Sequence, residues 1–319
     1  MALKRFLVVR DGAPDGALRG AVLAMGNFDG VHRGHQAVIA AAIGRARELD
    51  RPAGVLTFEP HPRDFFHPRE PLFRLTDERT KLRLLAAAGL DGAVVLTFNA
   101  ALARTTADEF VGRILVERLA VSGIIVGFNF HFGKDRTGSP AFLTEQGRKY
   151  SFAVDIIPPF ELDGRPVSSG PIRDALDVGR VRDAAVLLGF PWFVSGEVIH
   201  GDERGRELGF PTANLKLDAN CGLRHGVYAV RVGVGGRRYD GVANFGRRPM
   251  FDSGAVLLEV FLFDFAGDLY GCNIDVAFID WIREEKLFGS VDELVRAMEN
   301  DAVKARGALV QAGDVFPPV

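Results

Sequence analysis

Two histidines, His32 and His35, stand three residues apart in the run Gly26-Asn-Phe-Asp-Gly-Val-His-Arg-Gly-His35. At a helix start that spacing lets both imidazoles project to one side. Gly26, Gly30 and Gly34 let the chain turn tightly and approach a phosphate without a Cβ in the way. The run follows an apolar strand pattern, and a strand-to-helix passage is where backbone N–H groups and the helix dipole favour an anion. Two imidazoles placed there can donate hydrogen bonds to a polyphosphate, more strongly if protonated. A glycine turn with two surface histidines is the competing reading, and the three features together favour the phosphate site.

A second group of residues lies far along the chain. Gly196-Glu-Val-Ile-His-Gly201 and Arg204-Gly-Arg206-Glu-Leu-Gly209-Phe-Pro-Thr-Ala-Asn214 place glycines around a β-to-loop passage. Successive N–H groups in such a loop can cradle phosphates. No Gly-Lys-[Ser/Thr] follows, so this is not a Walker A loop. Thr212 and Asn214 offer side-chain oxygens two residues apart, suited to a hard cation such as Mg²⁺ that bridges nucleotide phosphates; a simple turn is the alternative for Pro-Thr-Ala-Asn alone. Further on, alternation in Val256–Phe265 puts Leu257, Glu259, Phe261 and Phe263 on one face. A carboxylate buried among bulky apolar side chains has its pKa raised, which makes Glu259 a candidate general base. A partnered or edge-exposed glutamate is the other reading of that pattern.

These residues need a scaffold. In the first half, Ala21–Met25, Ala53–Phe58, Gly92–Phe98 and Gly123–Val126 read as buried strands, and His35–Leu49 carries apolar residues at helical spacing. Strand–helix alternation predicts a parallel sheet covered on both faces. From about Trp192 the texture changes: Val194–Ile199, Val227–Val234, Tyr239–Ala243, Val256–Phe265 and Asn273–Phe278 are β-type runs joined by glycine-rich turns, with a two-residue hairpin signal at Gly235-Gly236. They predict an antiparallel barrel or sandwich. Ile172–Leu188 reads as a helical connector. Ser290–Val310 reads as a closing helix, capped by Ser290 with Glu293 completing a capping box.

Composition bounds the class. At ~100–200 residues per domain, 319 residues suggest about two domains. Hydrophobic residues at 47% and charged residues at 25% are the proportions of a globular protein rather than a disordered one. Lys+Arg 39 against Asp+Glu 41 leaves a net charge of −2, which argues against nucleic acid or an anionic membrane as a main partner. No apolar run approaches the ~18–20 residues that span a bilayer, and the N-terminal stretch lacks the pattern of a signal peptide. Cys221 and Cys272 are too few for a disulfide framework. A cytoplasmic enzyme is expected.

The run GNFDGVHRGH resembles the signature of nucleotidyltransferases, in the version found in bacterial bifunctional riboflavin kinase/FAD synthetases. Thr57-Phe-Glu-Pro-His-Pro62, Gly127-Phe-Asn-Phe-His-Phe-Gly133 and Val167-Ser-Ser-Gly-Pro-Ile-Arg173 follow in the family's order. So do Gly209-Phe-Pro-Thr-Ala-Asn214, His225-Gly-Val-Tyr-Ala229, Asn244-Phe-Gly-Arg-Arg-Pro249, Leu258-Glu259-Val260 and Arg283-Glu-Glu-Lys-Leu-Phe288. The resemblance covers essentially the whole chain. It implies an α/β Rossmann-like nucleotidyltransferase domain over 1–186, followed over 187–319 by a small antiparallel β-barrel riboflavin kinase domain with a C-terminal helix.

By the same resemblance, Gly26, Asn27, Phe28, Asp29, His32, His35, Asn129, Ser168, Ser169 and Arg173 hold ATP for adenylyl transfer, with His32 and His35 catalytic. Read from the residues, Pro62 and Phe66 lie in the Phe58–Phe66 stretch, which is either a loop whose aromatics plug the core or an apolar wall for the flavin ring at the carboxyl end of a parallel strand. In the barrel, again by the resemblance, Gly201, Arg206, Gly209, Thr212 and Asn214 bind ATP, and Thr212 and Asn214 take the Mg²⁺. Glu259 activates the ribityl 5′-hydroxyl of riboflavin, and Arg283 lies near flavin and phosphates. Two departures stand out: Gly170-Pro171 follows the serine pair where the family has Thr, and Pro249-Met250-Phe251 stands where it has Pro-Thr-Phe. The first removes a hydroxyl from the implied ATP pocket.

The leading reading is a two-activity enzyme that makes FMN from riboflavin and FAD from FMN, with ATP as co-substrate. It has small-molecule partners only and is a monomer or weak homo-oligomer. A riboflavin kinase with a weakened or inactive first domain, and a non-catalytic flavin- or nucleotide-binding regulator, stay open. Retention of His32, His35, Thr212, Asn214 and Glu259 together argues against the regulator. A class I aminoacyl-tRNA synthetase shares the histidine signature but needs a Lys-Met-Ser-Lys-Ser-like loop that this sequence lacks.

Overall fold

The computed structural model describes residues 6–13, 16, 18–200, 210–247 and 256–319. Gly201, Arg206, Gly209 and the stretch around Met250 lie outside the described residues. The chain forms two compact units, one running to Leu72 and then from Thr76 to Ser168, the other made of Phe73–Leu75 and Ser169–Pro318.

The first unit is built on strands β1 (Leu7–Arg10), β2 (Val22–Met25), β3 (Ala53–Glu59), β4 (Gly92–Thr97), β5 (Gly123–Gly127) and β6 (Ala153–Ile157). All pair in parallel, in the order β1-β4-β3-β2-β5-β6. The inner strands are apolar on both faces because helices cover both: β2 is buried throughout, as is β3 up to Phe58. Helix α1 (Arg33–Glu48) turns Val38, Ile39, Ala42 and Ala46 inward, the face its periodicity predicts. Helices α2 (Pro62–Phe66), α3 (Glu78–Ala87), α4 (Ala100–Arg104), α5 (Ala107–Glu109) and α6 (Pro140–Tyr150) complete the layers, with a small hairpin of β7 (Glu161–Leu162) and β8 (Arg165–Pro166). Phe110–Arg118 continues α5 with π-type hydrogen bonding. Strand order reverses at β2, whose neighbours are β3 and β5. That switch point is where an open α/β sheet leaves a crevice at the carboxyl ends of its strands.

The second unit opens with helices α7 (Ser169–Asp177) and α8 (Val181–Leu188). The single connector expected over Ile172–Leu188 is thus two helices, broken where Gly179 adopts φ +79°. Six antiparallel strands follow: β9 (Phe193–Glu197), β10 (Ala213–Lys216), β11 (Gly226–Val234), β12 (Arg237–Arg247), β13 (Val256–Leu262) and β14 (Asn273–Arg283). Their order is β10-β13-β12-β11-β14-β9. The Ile199 N–H donates to the Asn214 carbonyl at 2.9 Å, so the chain beyond β9 meets β10 and the sheet closes on itself. Gly235 and Gly236 both have positive φ, at 53° and 79°, as a tight hairpin turn requires.

Alternate residues of this barrel point inward. Tyr228, Ala243, Phe245, Leu258, Val260, Leu215 and Phe278 are buried in its core. Helix α9 (Val291–Ala312) closes the unit. Ser290 caps it by accepting from the Glu293 N–H at 3.2 Å, but the Glu293 carboxylate reaches back to the Gly289 N–H rather than to Ser290, so the expected capping box is half formed.

Candidate active sites

The loop after β2 carries the first constellation. Phe28, Gly30 and Val31 all adopt left-handed backbone, at φ 52°, 82° and 43°. For Phe28 and β-branched Val31 that conformation costs about 1–3 kcal/mol each, so the surroundings must impose it. Three anchors do. The Asp29 carboxylate is buried and accepts from the Thr76 N–H at 3.1 Å, while the Thr76 hydroxyl accepts from the Gly30 N–H at 3.1 Å. The Gln36 side chain donates to the Val31 carbonyl at 2.9 Å. Thr57 on β3 and Lys81 on α3 both donate to the Asn27 carbonyl, at 3.3 and 3.4 Å. Asp29 and the Phe28 ring are therefore buried supports of the loop, and several of its backbone groups are tied to side chains of the same unit.

His32 is the N-cap of α1, and its Nδ1 accepts from the His35 N–H at 3.3 Å. The two rings stack with centroids 3.6 Å apart, and the Phe28 ring meets His35 edge-on at 5.2 Å. The spacing thus places both imidazoles on one side. Proton uptake at His35 is disfavoured. Burial first, then the neighbouring His32 and Lys81, hold its pKa well below the usual imidazole range. At neutral pH His35 is an uncharged ring whose buried Nδ1 has no protein partner. A Cβ on Gly34 would stand 3.1 Å from the His32 ring and from the Val167 carbonyl, so only glycine lets these segments meet.

Other first-unit candidates gather at the same sheet edge. β5 neighbours β2, and the loop after it presents Phe128 and Asn129, both exposed. Ser168, next to Val167, is exposed. Pro62 and Phe66 sit on α2, a short helix where the sequence suggested a loop. Phe66 is 59% exposed and packs edge-on against Phe98 at 5.7 Å, with Phe65 also on Phe98 at 5.4 Å. Phe98, just beyond β4, is an apolar wall residue that sequence reasoning left inside a strand. In the second unit, Ser169 begins α7 and Arg173 donates from Nε to the Phe73 carbonyl at 2.6 Å. At Gly170 a Cβ would meet nothing within 4 Å, so the missing threonine is not excluded by crowding.

On the barrel, strand register assembles the second constellation. Asn214 on β10 pairs with Glu259 on β13, and Glu259 pairs with Asn244 on β12. Directly opposed residues share a face, so the three side chains form one row on the face of the wall opposite the core, with Asn214 buried and Glu259 and Asn244 half-buried. Leu258 and Val260 on either side of Glu259 point into the core with 0% exposure. Glu259 is half-buried, not enclosed: its face is the open one, because the core-facing set is the other half of the alternation. Asn244 belongs to the run Asn244-Phe-Gly-Arg-Arg-Pro249, and only the pairing register reveals that it shares a face with Glu259. Two residues on, Gly246 faces the same way, and the Glu285 carboxylate fills the space that a Cβ there would need.

The oxygen donors fit a hard cation. Asn214 is buried, its side-chain N–H donates to the Thr212 carbonyl at 3.3 Å, and its Oδ1 has no hydrogen-bond partner. A buried oxygen held in place with nothing donating to it is what a divalent ion or its water would occupy. Arg283 stands in register with Val227, itself paired with Asn244. Its guanidinium is engaged by Asp301 of α9, at 2.9 Å from Nε and 2.7 Å from Nη2.

Comparison with known proteins matches this picture. A family model described as FAD synthetase matches residues 15–171, and one described as riboflavin kinase matches 188–309. A curated relative from Pseudomonas fluorescens, a bifunctional riboflavin kinase/FMN adenylyltransferase, is 44% identical, covering 90% of this chain and 93% of its own. A protein of the same description from Escherichia coli is 41% identical, covering 90% and 92%. Among solved structures, one described as a macrolide-efflux protein from Streptococcus pneumoniae superposes with a TM-score of 0.82 at 32% identity, covering 94% of this chain and 98% of that one. No helix among the described residues is long and apolar enough to cross a membrane. With both family models matched in succession and identity above 40% along nine-tenths of its length, the chain belongs to the bifunctional riboflavin kinase/FMN adenylyltransferases.

Proposed function

We propose that this chain converts riboflavin and ATP to FMN and ADP on its barrel, and FMN and ATP to FAD and pyrophosphate on its parallel-sheet unit. The observation that carries the reading is the cross-strand row Asn214–Glu259–Asn244, which sets a carboxylate beside a buried, unpartnered oxygen on the open face of a barrel. In the first reaction Glu259 takes the proton of the ribityl 5′-hydroxyl as that oxygen attacks the γ-phosphoryl group, and ADP leaves. Asn214 and Thr212 would hold Mg²⁺, which would neutralise charge on the nucleotide phosphates. In the second, a phosphate oxygen of FMN attacks the α-phosphoryl group of ATP, and pyrophosphate departs. Neutral His35 and its stacked partner His32 donate N–H groups to the phosphates, a positioning and electrostatic task that needs no covalent intermediate.

Asn129 and Ser168 complete the ATP pocket beside the histidines, with Ser169 and Arg173 following Ser168 in sequence. Pro62, Phe66 and Phe98 form the flavin wall. The functional division runs 1–186 and 187–319, and Gly201, Arg206 and Gly209 contribute to the kinase phosphate loop. The enzyme works in the cytoplasm as a monomer or weak homo-oligomer, in keeping with two free cysteines. Purified protein incubated with riboflavin, ATP and Mg²⁺, with flavins separated by chromatography, should yield FMN and then FAD. The His32→Ala/His35→Ala variant should stop at FMN. FMN alone from the unaltered protein would leave only the kinase.

A further inference from the structure

Lys81 has no part in the sequence reading, yet it is one of the most completely buried side chains in the protein. It projects from α3 with 0% exposure, an uncommon place for a long cationic chain. Its ammonium group donates to three acceptors inside the first unit. One goes to the Glu59 carboxylate at 2.6 Å, one to the Thr57 hydroxyl at 3.3 Å and one to the Asn27 carbonyl at 3.4 Å. Thr57 in turn donates to the same Asn27 carbonyl at 3.3 Å. Two donors from two different elements thus converge on one peptide oxygen in the two-histidine loop.

That convergence fixes the orientation of a peptide plane. In a trans peptide the C=O and the following N–H point in opposite directions. With the Asn27 carbonyl held onto Lys81 and Thr57, the Phe28 N–H points the opposite way, away from those two side chains. Among the described residues that N–H has no acceptor. It belongs to a residue whose left-handed backbone the loop must impose, at φ 52°. The same ammonium lies close enough to His35 to disfavour its protonation. An uncompensated peptide donor beside two imidazoles, over a buried cation, is suited to the oxygens of a nucleoside triphosphate.

We propose that Lys81 is a positioning residue for adenylyl transfer, holding the Asn27 peptide inward so that the Phe28 N–H faces the triphosphate of ATP. Lys81 touches no substrate. It acts through one peptide plane, and the partly buried Glu59 carboxylate balances its charge. This inference rests on the adenylyl-transfer reading of the first unit, and its test separates the two.

The test measures FAD formation from supplied FMN while ATP and FMN are titrated independently. In Lys81→Met, KM for ATP should rise at least about tenfold, while KM for FMN stays within about twofold. A purely structural loss would lower the active fraction, cutting kcat and leaving both KM values unchanged, and that result would overturn the proposal. Because Lys81→Met removes the cation facing the Glu59 carboxylate, the paired variant Glu59→Gln/Lys81→Met removes both charges and should show the same split. Should neither variant fold, the unaltered protein decides: adding ATP should shift the Phe28 amide proton resonance. An unmoved Phe28 amide in protein that still makes FAD would sink the role of Lys81 and leave the activity standing. Failure to make FAD at all would sink the activity reading first.

Discussion

At the scale of single residues, the proposed chemistry divides between a carboxylate, Glu259, that would move a proton and imidazoles, His32 and His35, that would not. A primary hydroxyl is a poor nucleophile at neutral pH, and a positioned base contributes ~10²–10⁴-fold. Glu259→Gln keeps shape and one acceptor oxygen but not basicity. Turnover for FMN formation should fall by about 10²-fold or more, with riboflavin and ATP binding little changed and FAD synthesis from FMN intact. Steady-state kinetics on both reactions checks this, and preserved turnover with lost flavin binding would make Glu259 an anchor.

His35 gives a stability prediction with a defined sign. Its folded-state pKa lies below the unfolded value of 6.5, so as pH falls past that value the unfolded chain takes up a proton that the folded unit refuses. The contribution is complete above the unfolded value and declines as the medium is acidified. Melting temperatures of the first unit from about pH 8 to 5 should fall in the unaltered protein and fall less in His35→Asn; parallel curves would remove His35 from the account. The sequence made the His32–His35 pairing legible because helical spacing is local. It could not reveal that His35 is held neutral, since Lys81 lies 46 positions away in sequence and arrives by tertiary packing.

At the scale of elements, strands were legible wherever both faces are apolar, as in β2 to β5, and less so where the pattern is short. β10 hides in Pro-Thr-Ala-Asn, which reads as a turn, because only four residues pair and one of them is the buried polar Asn214. Register was wholly invisible, and with it the place of Asn244. Arg283 illustrates another limit: its sequence position is compatible with a phosphate ligand, but α9 supplies Asp301, almost fully buried, as a bidentate partner. That pair fastens α9 to β14. Asp301→Ala leaves a half-buried guanidinium without its carboxylate and should destabilise the second unit by about 1.5–3 kcal/mol, read by urea unfolding. Arg283→Met/Asp301→Leu should recover much of that loss. If this stable double variant also binds riboflavin normally, Arg283 serves the helix rather than the flavin.

At the scale of the whole molecule, the sequence predicted two domains and their order, while the contact boundary has a detail no linear reading supplies. Phe73–Leu75 belongs with the second unit, where the Leu75 carbonyl accepts from the indole N–H of buried Trp192 at 2.9 Å and the Phe73 ring meets Trp192 edge-on. A fragment of residues 169–319 should therefore phosphorylate riboflavin but melt at a lower temperature than the same unit in the full chain. An unsatisfied buried donor alone costs about 1–3 kcal/mol. Calorimetry on both proteins, with a kinase assay on the fragment, checks this. A folded fragment without activity would mean the kinase site depends on residues before 169.

The pleat of β13 has a consequence for how faithfully this enzyme is made. Glu259 lies between Leu258 and Val260, so its chemistry and the barrel's core occupy alternate positions of one strand. Slipping that strand by a single residue would drive the carboxylate into the hydrocarbon interior and push two aliphatic side chains into water. A misaligned barrel would thus be too unstable to accumulate. Damaged or heat-stressed preparations should contain fully competent and fully unfolded molecules with few impaired ones between. Kinase activity per milligram then counts native barrels, and proofreading of the fold comes from the same alternation that presents the base.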